Sequence, residues 1–165
     1  MLVSVSIVLA FVVSLPALPA SIVSRMRVVD KEPMETYGWE SVSAQVSTAV
    51  QAHPGVTAVF AGNYGEAGAV AHYGPDQGLT VPVVSGHVAY GYWGPPSGTP
   101  DLVIAIGEFE AVDLERTWRE VTPIAQVRLP AGLDNEETIN GATIFLCAGP
   151  RGTWAQIWPT LVHLG

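Results

Sequence analysis

Two polar, aromatic stretches carry the residue types best suited to chemistry in this chain of 165 residues. The first is Ala61-Gly62-Asn63-Tyr64-Gly65-Glu66-Ala67-Gly68, placed between an apolar run and an Ala-rich one. Its glycines let the backbone turn tightly into a helix, whose first amide groups lack intrahelical partners and attract an anion. The spacing is not GxGxxG and no Walker lysine follows, so nucleotide binding is not indicated. A turn built for purely steric reasons is the other reading. The second stretch runs from Ser85-Gly86-His87 through Tyr90, Tyr92 and Trp93 to Pro96. Its rings offer flat apolar faces with polar rims, suited to a sugar or to an isoprenoid phosphate head. His87 has the chemistry to donate to a phosphate or to move a proton. In the alternative reading the rings pack beneath a long loop and His87 bonds to backbone carbonyls. The candidate ligand-binding residues are therefore Asn63, Tyr64, Gly65, Glu66, Ser85, His87, Tyr90 and Trp93.

Catalysis needs more than this. Glu108 and Glu110 flank Phe109, and Asp134, Glu136 and Glu137 share one acidic stretch. Paired carboxylates perform glycosyl transfer in many enzymes, but acids on loops of an acidic protein are usually solvated, and nothing in the sequence pairs these with a base or a metal. His53, His72, His87 and His163 are scattered, no H-E-x-x-H pattern exists, and a lone Cys147 excludes a site of several thiolates. There is no G-x-S-x-G elbow, and Ser85 near His87 in sequence does not make a dyad. No catalytic residue, metal or cofactor is expected.

The elements that must position these residues follow from hydrophobic spacing. Trp39, Val42, Val46 and Val50 recur at helical intervals, giving a helix over 39–52 stopped by His53-Pro54-Gly55. Short buried strands are read at 56–60, 82–84, 102–106, 124–129 and 142–147. A short helix is read over 66–73, and another through Leu114, Trp118 and Val121, capped by Asp113. The end, 154–164, is helical or irregular and broken at Pro159. Strands with continuous apolar runs alternating with helices imply an α/β class: a small, mostly parallel sheet with flanking helices, like half of a doubly wound, Rossmann-type fold.

Met1 to Val23 holds no charged residue, long enough for one transmembrane helix, with Pro16 and Pro19 near its far end. A cleaved signal peptide is the rival, but it lacks a basic n-region. Residues 24–33 then form a juxtamembrane linker, and 34–165 one soluble domain. Arg25, Arg27 and Lys31, read alone, place that domain in the cytoplasm. The net charge is −8, with 15 acids against 7 Lys and Arg. That balance argues against nucleic acid and against docking on anionic lipid by charge alone.

Asn63-Tyr64-Gly65-Glu66-Ala67-Gly68-Ala69, Tyr73-Gly74-Pro75, Val84-Ser85-Gly86-His87 and Trp93-Gly94-Pro95-Pro96 resemble the C-terminal region of bacterial glycosyltransferase family 39 proteins. These are relatives of protein O-mannosyltransferases and aminoarabinose transferases. Tyr37-Gly38-Trp39, Asp134-Asn135-Glu136-Glu137, Cys147-Ala148-Gly149-Pro150-Arg151 and Trp158-Pro159 add to the resemblance. In one departure, Val88 stands where an Asn is expected after the His, which removes a polar group from the loop. The resemblance implies a many-span membrane enzyme that moves a sugar from a polyprenyl phosphate to an acceptor outside the cytoplasm. Its catalytic acids would lie in an N-terminal loop with no counterpart here. This chain would then be an extracytoplasmic accessory domain, not catalytic alone, with the bilayer (through residues 1–23), a polyprenyl-phosphate sugar and the rest of the membrane protein as partners. The resemblance overrides the orientation suggested by three basic residues. The alternative is a tethered or secreted α/β module that binds a small anionic or saccharide ligand.

Overall fold

Alternate residues of the central strands face two different apolar layers, and this alternation builds the domain. The computed structural model describes residues 37–130 and 133–164. The transmembrane expectation for 1–23 and the whole of the expected linker, 24–33, lie outside the described residues. Among the described residues, no helix is long and apolar enough to cross a membrane.

In chain order the elements are α1 (Trp39–Ala52), β1 (Ala58–Ala61), α2 (Tyr64–Tyr73), a 3-10 turn (Pro75–Gln77) and β2 (Val83–Ser85). Then follow α3 (Val88–Trp93), β3 (Leu102–Gly107), α4 (Ala111–Leu114) and β4 (Trp118–Gln126), and finally α5 (Glu136–Ile139), β5 (Thr143–Pro150) and α6 (Trp154–Leu161). Together the strands form one sheet in the order β2-β1-β3-β5-β4. On one face, Val59, Ala61, Ile104, Ile106 and Ile144 pack against Val42 and Val46 of α1 and Ala67 and Val70 of α2. On the other, Phe60, Val103, Ala105, Phe145 and Cys147 meet Trp118 and the Trp154, Ile157 and Trp158 face of α6. Both faces are covered, which is why β1 and β3 read as continuous apolar runs.

The class is α/β, as the sequence implies, but the sheet is mixed. β1 runs parallel to β2 and β3, whereas β5 is antiparallel to both β3 and β4. The mostly parallel, half-Rossmann arrangement is therefore corrected. A buried apolar strand such as β5 has the same composition whichever way its neighbours run.

A second correction concerns Trp118 and Val121. They do not continue a helix from Leu114, because α4 ends at Leu114 and Trp118 begins β4. Trp118 is fully buried, and its indole N–H donates to the Pro100 carbonyl at 3.1 Å. Pro123 falls on this edge strand, next to a register shift at Pro123/Ala125. An edge position tolerates a proline that donates nothing to the ladder.

Candidate functional site: a strand-end cleft over a carboxyl pair

β1, β2 and β3 end on one edge of the sheet, at Ala61, Ser85 and Gly107, where β5 begins at Thr143. The first candidate stretch leaves this edge as a turn into α2. Asn63 caps that helix: its side chain accepts from Glu66 N at 2.9 Å, and Glu66 Oε2 accepts from Asn63 N at 3.0 Å. Tyr64 N donates to His87 Nδ1 at 3.4 Å, and Ala67 N donates to the Asn63 carbonyl. These amides already have partners within the fold, so the turn is built as a cap and not as a phosphate cradle.

Glycines at 62 and 107 make room beneath the turn. A Cβ on either would stand 3.2 Å from Glu66 Oε2, and Gly107 holds a positive φ of 147°. Glu66 is fully buried. Across from it, α5 brings Glu137, which is only 3% exposed, and Asn63 Nδ2 reaches Glu137 Oε1 at 3.4 Å. Glu66 Oε1 and Glu137 Oε2 are both buried acceptors with no other donor among the described residues. One proton held between them satisfies both oxygens. Burial, then the hydrogen bond and charge of Glu137, raise the Glu66 carboxyl to about 10, so it is the partner that keeps the proton. Burial also raises Glu137, opposed by its hydrogen bonds to Glu66 and Asn63. Two like carboxyls in contact cannot both ionise without a large penalty. Among the described residues, no three of His, Cys, Asp and Glu are grouped so as to hold a metal ion.

Above this pair opens a cleft of about 530 Å³. Its volume lies within the range of roughly 300–1,000 Å³ common for small-molecule sites. Tyr64, Phe109, His87 and His163 supply its rings, and Glu108, Glu136 and Glu137 its carboxylates. Phe109 is held from below by stacking on Phe60, with ring centroids 5.5 Å apart. His87 stacks on His163 at 5.0 Å with the ring planes 5° apart. Burial, and then the neighbouring His163, lower the His87 pKa, which favours the neutral imidazole. Asn140 Nδ2 donates to Glu108 Oε1 at 2.8 Å and fixes one wall.

The structure divides the sequence candidates. Asn63, Tyr64, Gly65 and His87 line the cleft, and Glu66 lies buried beneath it. Ser85 does not line it: fully buried, its hydroxyl accepts from His87 N at 3.1 Å and holds the turn. Tyr90 packs on the core beside α2, and Trp93 points into solvent, 73% exposed. Glu137 corrects the expectation of a solvated acidic loop. Its segment is a capped turn of helix in which Asn135 accepts from Thr138 N. The N-x-x-T spacing at 135–138 was the available signal for that cap. Nothing in the sequence signalled the meeting of His87 with His163, which depends on the C-terminal segment returning to pair with residues 86–88.

What the fold and site define is an α/β domain with an acidic, ring-walled cleft at its strand ends. In comparisons with known proteins, no family model, no curated protein and no solved structure matches the chain.

Proposed function

We propose that this chain is the C-terminal extracytoplasmic accessory domain of a polytopic, family 39-like glycosyltransferase, and that its cleft holds the saccharide of the polyprenyl-phosphate sugar or of the acceptor. The observation that carries this reading is the convergence of the two blocks behind the resemblance. Asn63–Glu66 and Ser85–His87 lie apart in sequence, yet Tyr64 N meets His87 Nδ1 at the cleft. The chemistry of the walls selects among ligands. Carboxylates accept from sugar hydroxyls, and the faces of Tyr64 and Phe109 cover apolar C–H surfaces. Among the described residues no Lys or Arg lines the cleft, and its three glutamates disfavour phosphate there. Any phosphate of a lipid-linked donor therefore lies outside the cleft, with only the sugar inside.

The test is calorimetric titration of the full chain in detergent with free saccharides, polyprenyl phosphate and polyprenyl-phosphate sugar. Saccharide-bearing ligands bind, polyprenyl phosphate alone does not, and Tyr64→Ala weakens binding about tenfold through loss of a stacking face worth roughly 1.4 kcal/mol. Absence of binding by every saccharide tried, or tighter binding of the bare phosphate, defeats the reading. The tethered or secreted binding module is the second reading. The lining of the cleft by described residues of one domain favours it, and saccharide binding without association with any multi-span protein would select it.

A further inference from the structure

Beside the cleft, large apolar side chains stand in water. Tyr92 is 80% exposed, Trp93 73% and Leu164 76%, and Val88 and Val162 are each 37% exposed. They belong to two segments held side by side. Val88 N donates to the His163 carbonyl and His163 N to the Gly86 carbonyl, each at 3.0 Å, while Trp158 Nε1 donates to the Gly91 carbonyl at 3.1 Å. Val88, Tyr92 and Trp93 sit on the short helix α3, and Val162 and Leu164 flank the residue that pairs with its start; neighbouring exposed apolar residues mark a contact surface better than single ones do.

The chain enters the domain at this same end. The Tyr37 carbonyl accepts from Asn135 Nδ2 at 3.4 Å, two residues before the cleft-lining Glu137. A Cβ on Gly65 would lie 3.7 Å from the Trp39 ring, next to Tyr64, whose own ring is 5.3 Å from His87. Tyr37, the first described residue, thus lies at the cleft end of the domain, and residues 24–36 separate it in sequence from the uncharged run 1–23. Residues 24–36 span at most about 45 Å when extended.

We propose that the rim formed by Val88, Tyr92, Trp93, Val162 and Leu164 rests on the surface of an uncharged phospholipid bilayer, turning the cleft toward the membrane. This rests on the reading of residues 1–23 as a span. Tyr and Trp, apolar in body and polar at the tip, suit the head-group level. The rim residues carry no charge, and a chain of net charge −8 gains nothing from anionic head groups. The posture presents the cleft to a saccharide whose lipid tail stays in the bilayer.

The full chain, reconstituted in phosphatidylcholine vesicles containing brominated lipid, tests this through tryptophan quenching. Residues 1–36 contain no tryptophan. Trp118, Trp154 and Trp158 are at most 8% exposed, which leaves Trp93 and Trp39 as the informative reporters. Brominated lipid quenches the wild type, Trp93→Phe removes most of that quenching, and Trp39→Phe leaves most of it. Replacing part of the phosphatidylcholine by phosphatidylglycerol does not increase it. A chain that resists carbonate extraction yet shows equal quenching with and without Trp93 overturns the rim proposal and spares the span. Quenching that grows with anionic lipid overturns it too, since charge would then be the driving force. Release of the chain by carbonate overturns the span, and the rim proposal with it.

Discussion

Val88 is the one non-glycine residue in the described structure with a positive φ, at 48°. A β-branched side chain is poorly suited to the left-handed region, and strain of this kind costs roughly 1–3 kcal/mol. The strain is held in place because Val88 N bonds to the His163 carbonyl and the preceding ring stacks on His163. Asn tolerates this conformation far better than Val. Val88→Asn should therefore stabilise the domain by about 1 kcal/mol, seen as a higher denaturant midpoint with an unchanged slope. An unchanged or lower midpoint would show that the backbone relaxes around Val88 at no cost. The exposed position makes packing loss a minor term, so the backbone effect decides the sign.

At the scale of elements, the close approach at Gly86 ties β2 to the end of the chain. A Cβ there would collide with the Leu161 carbonyl, whereas one on Gly68, inside α2, would make only an ordinary contact 3.7 Å from the Tyr90 hydroxyl. Gly86→Ala should push the 161–163 segment away, separate His87 from His163 and cost about 1–3 kcal/mol together with saccharide affinity. Gly68→Ala should be neutral or stabilise by roughly 0.5–1 kcal/mol. Matched denaturation curves of the two variants check this, and equal behaviour would refute the assigned contact. The same elements show what was legible in the sequence. The helix at 39–52 could be read because one face alone is apolar, and Val42 and Val46 are indeed fully buried. The strands β1 and β3 could be read because each is a short apolar run. Of β4 only the end was read, as part of a strand at 124–129; its start was missed because it lies at the sheet edge with most of its residues facing water, and Leu114 and Trp118 happen to fall four residues apart. The cap at Asn63 was visible as a turn, but the Glu137 carboxyl it reaches comes from α5, three strands further along the chain. Local spacing carries no information about contacts of that kind.

Over the whole molecule, the sheet has a parallel half, β2-β1-β3, and an antiparallel half, β3-β5-β4, and the carboxyl pair spans the two. Glu66 belongs to α2, which follows β1, and Glu137 to α5, which precedes β5. The pair's protonation therefore couples to the stability of the entire domain. Glu66, raised to about 10, stays protonated in the fold, while in the unfolded chain it ionises near its ordinary 4.5. Between those values the native state binds the extra proton, so stability falls as pH rises, with a slope of at most about 1.4 kcal/mol per pH unit for one proton. Below the ordinary value both states hold the proton and the contribution is fully present. Glu66→Gln makes the neutral form permanent: its carbonyl accepts from Asn63 N as Oε2 does, and its amide donates to Glu137 as the acid proton does. The variant should therefore match the wild type below about pH 4.5 and surpass it progressively from about pH 5 to about pH 9, measured by denaturant midpoint in the same detergent. Glu66→Ala, which loses both the cap and the shared proton, should be destabilised by about 2–4 kcal/mol in mild acid, with a deficit that shrinks as pH rises and the wild type alone loses stability. Parallel pH profiles for the wild type and Glu66→Gln would mean that Glu66 carries no proton into the fold, and the two carboxyls would then need a different partner between them.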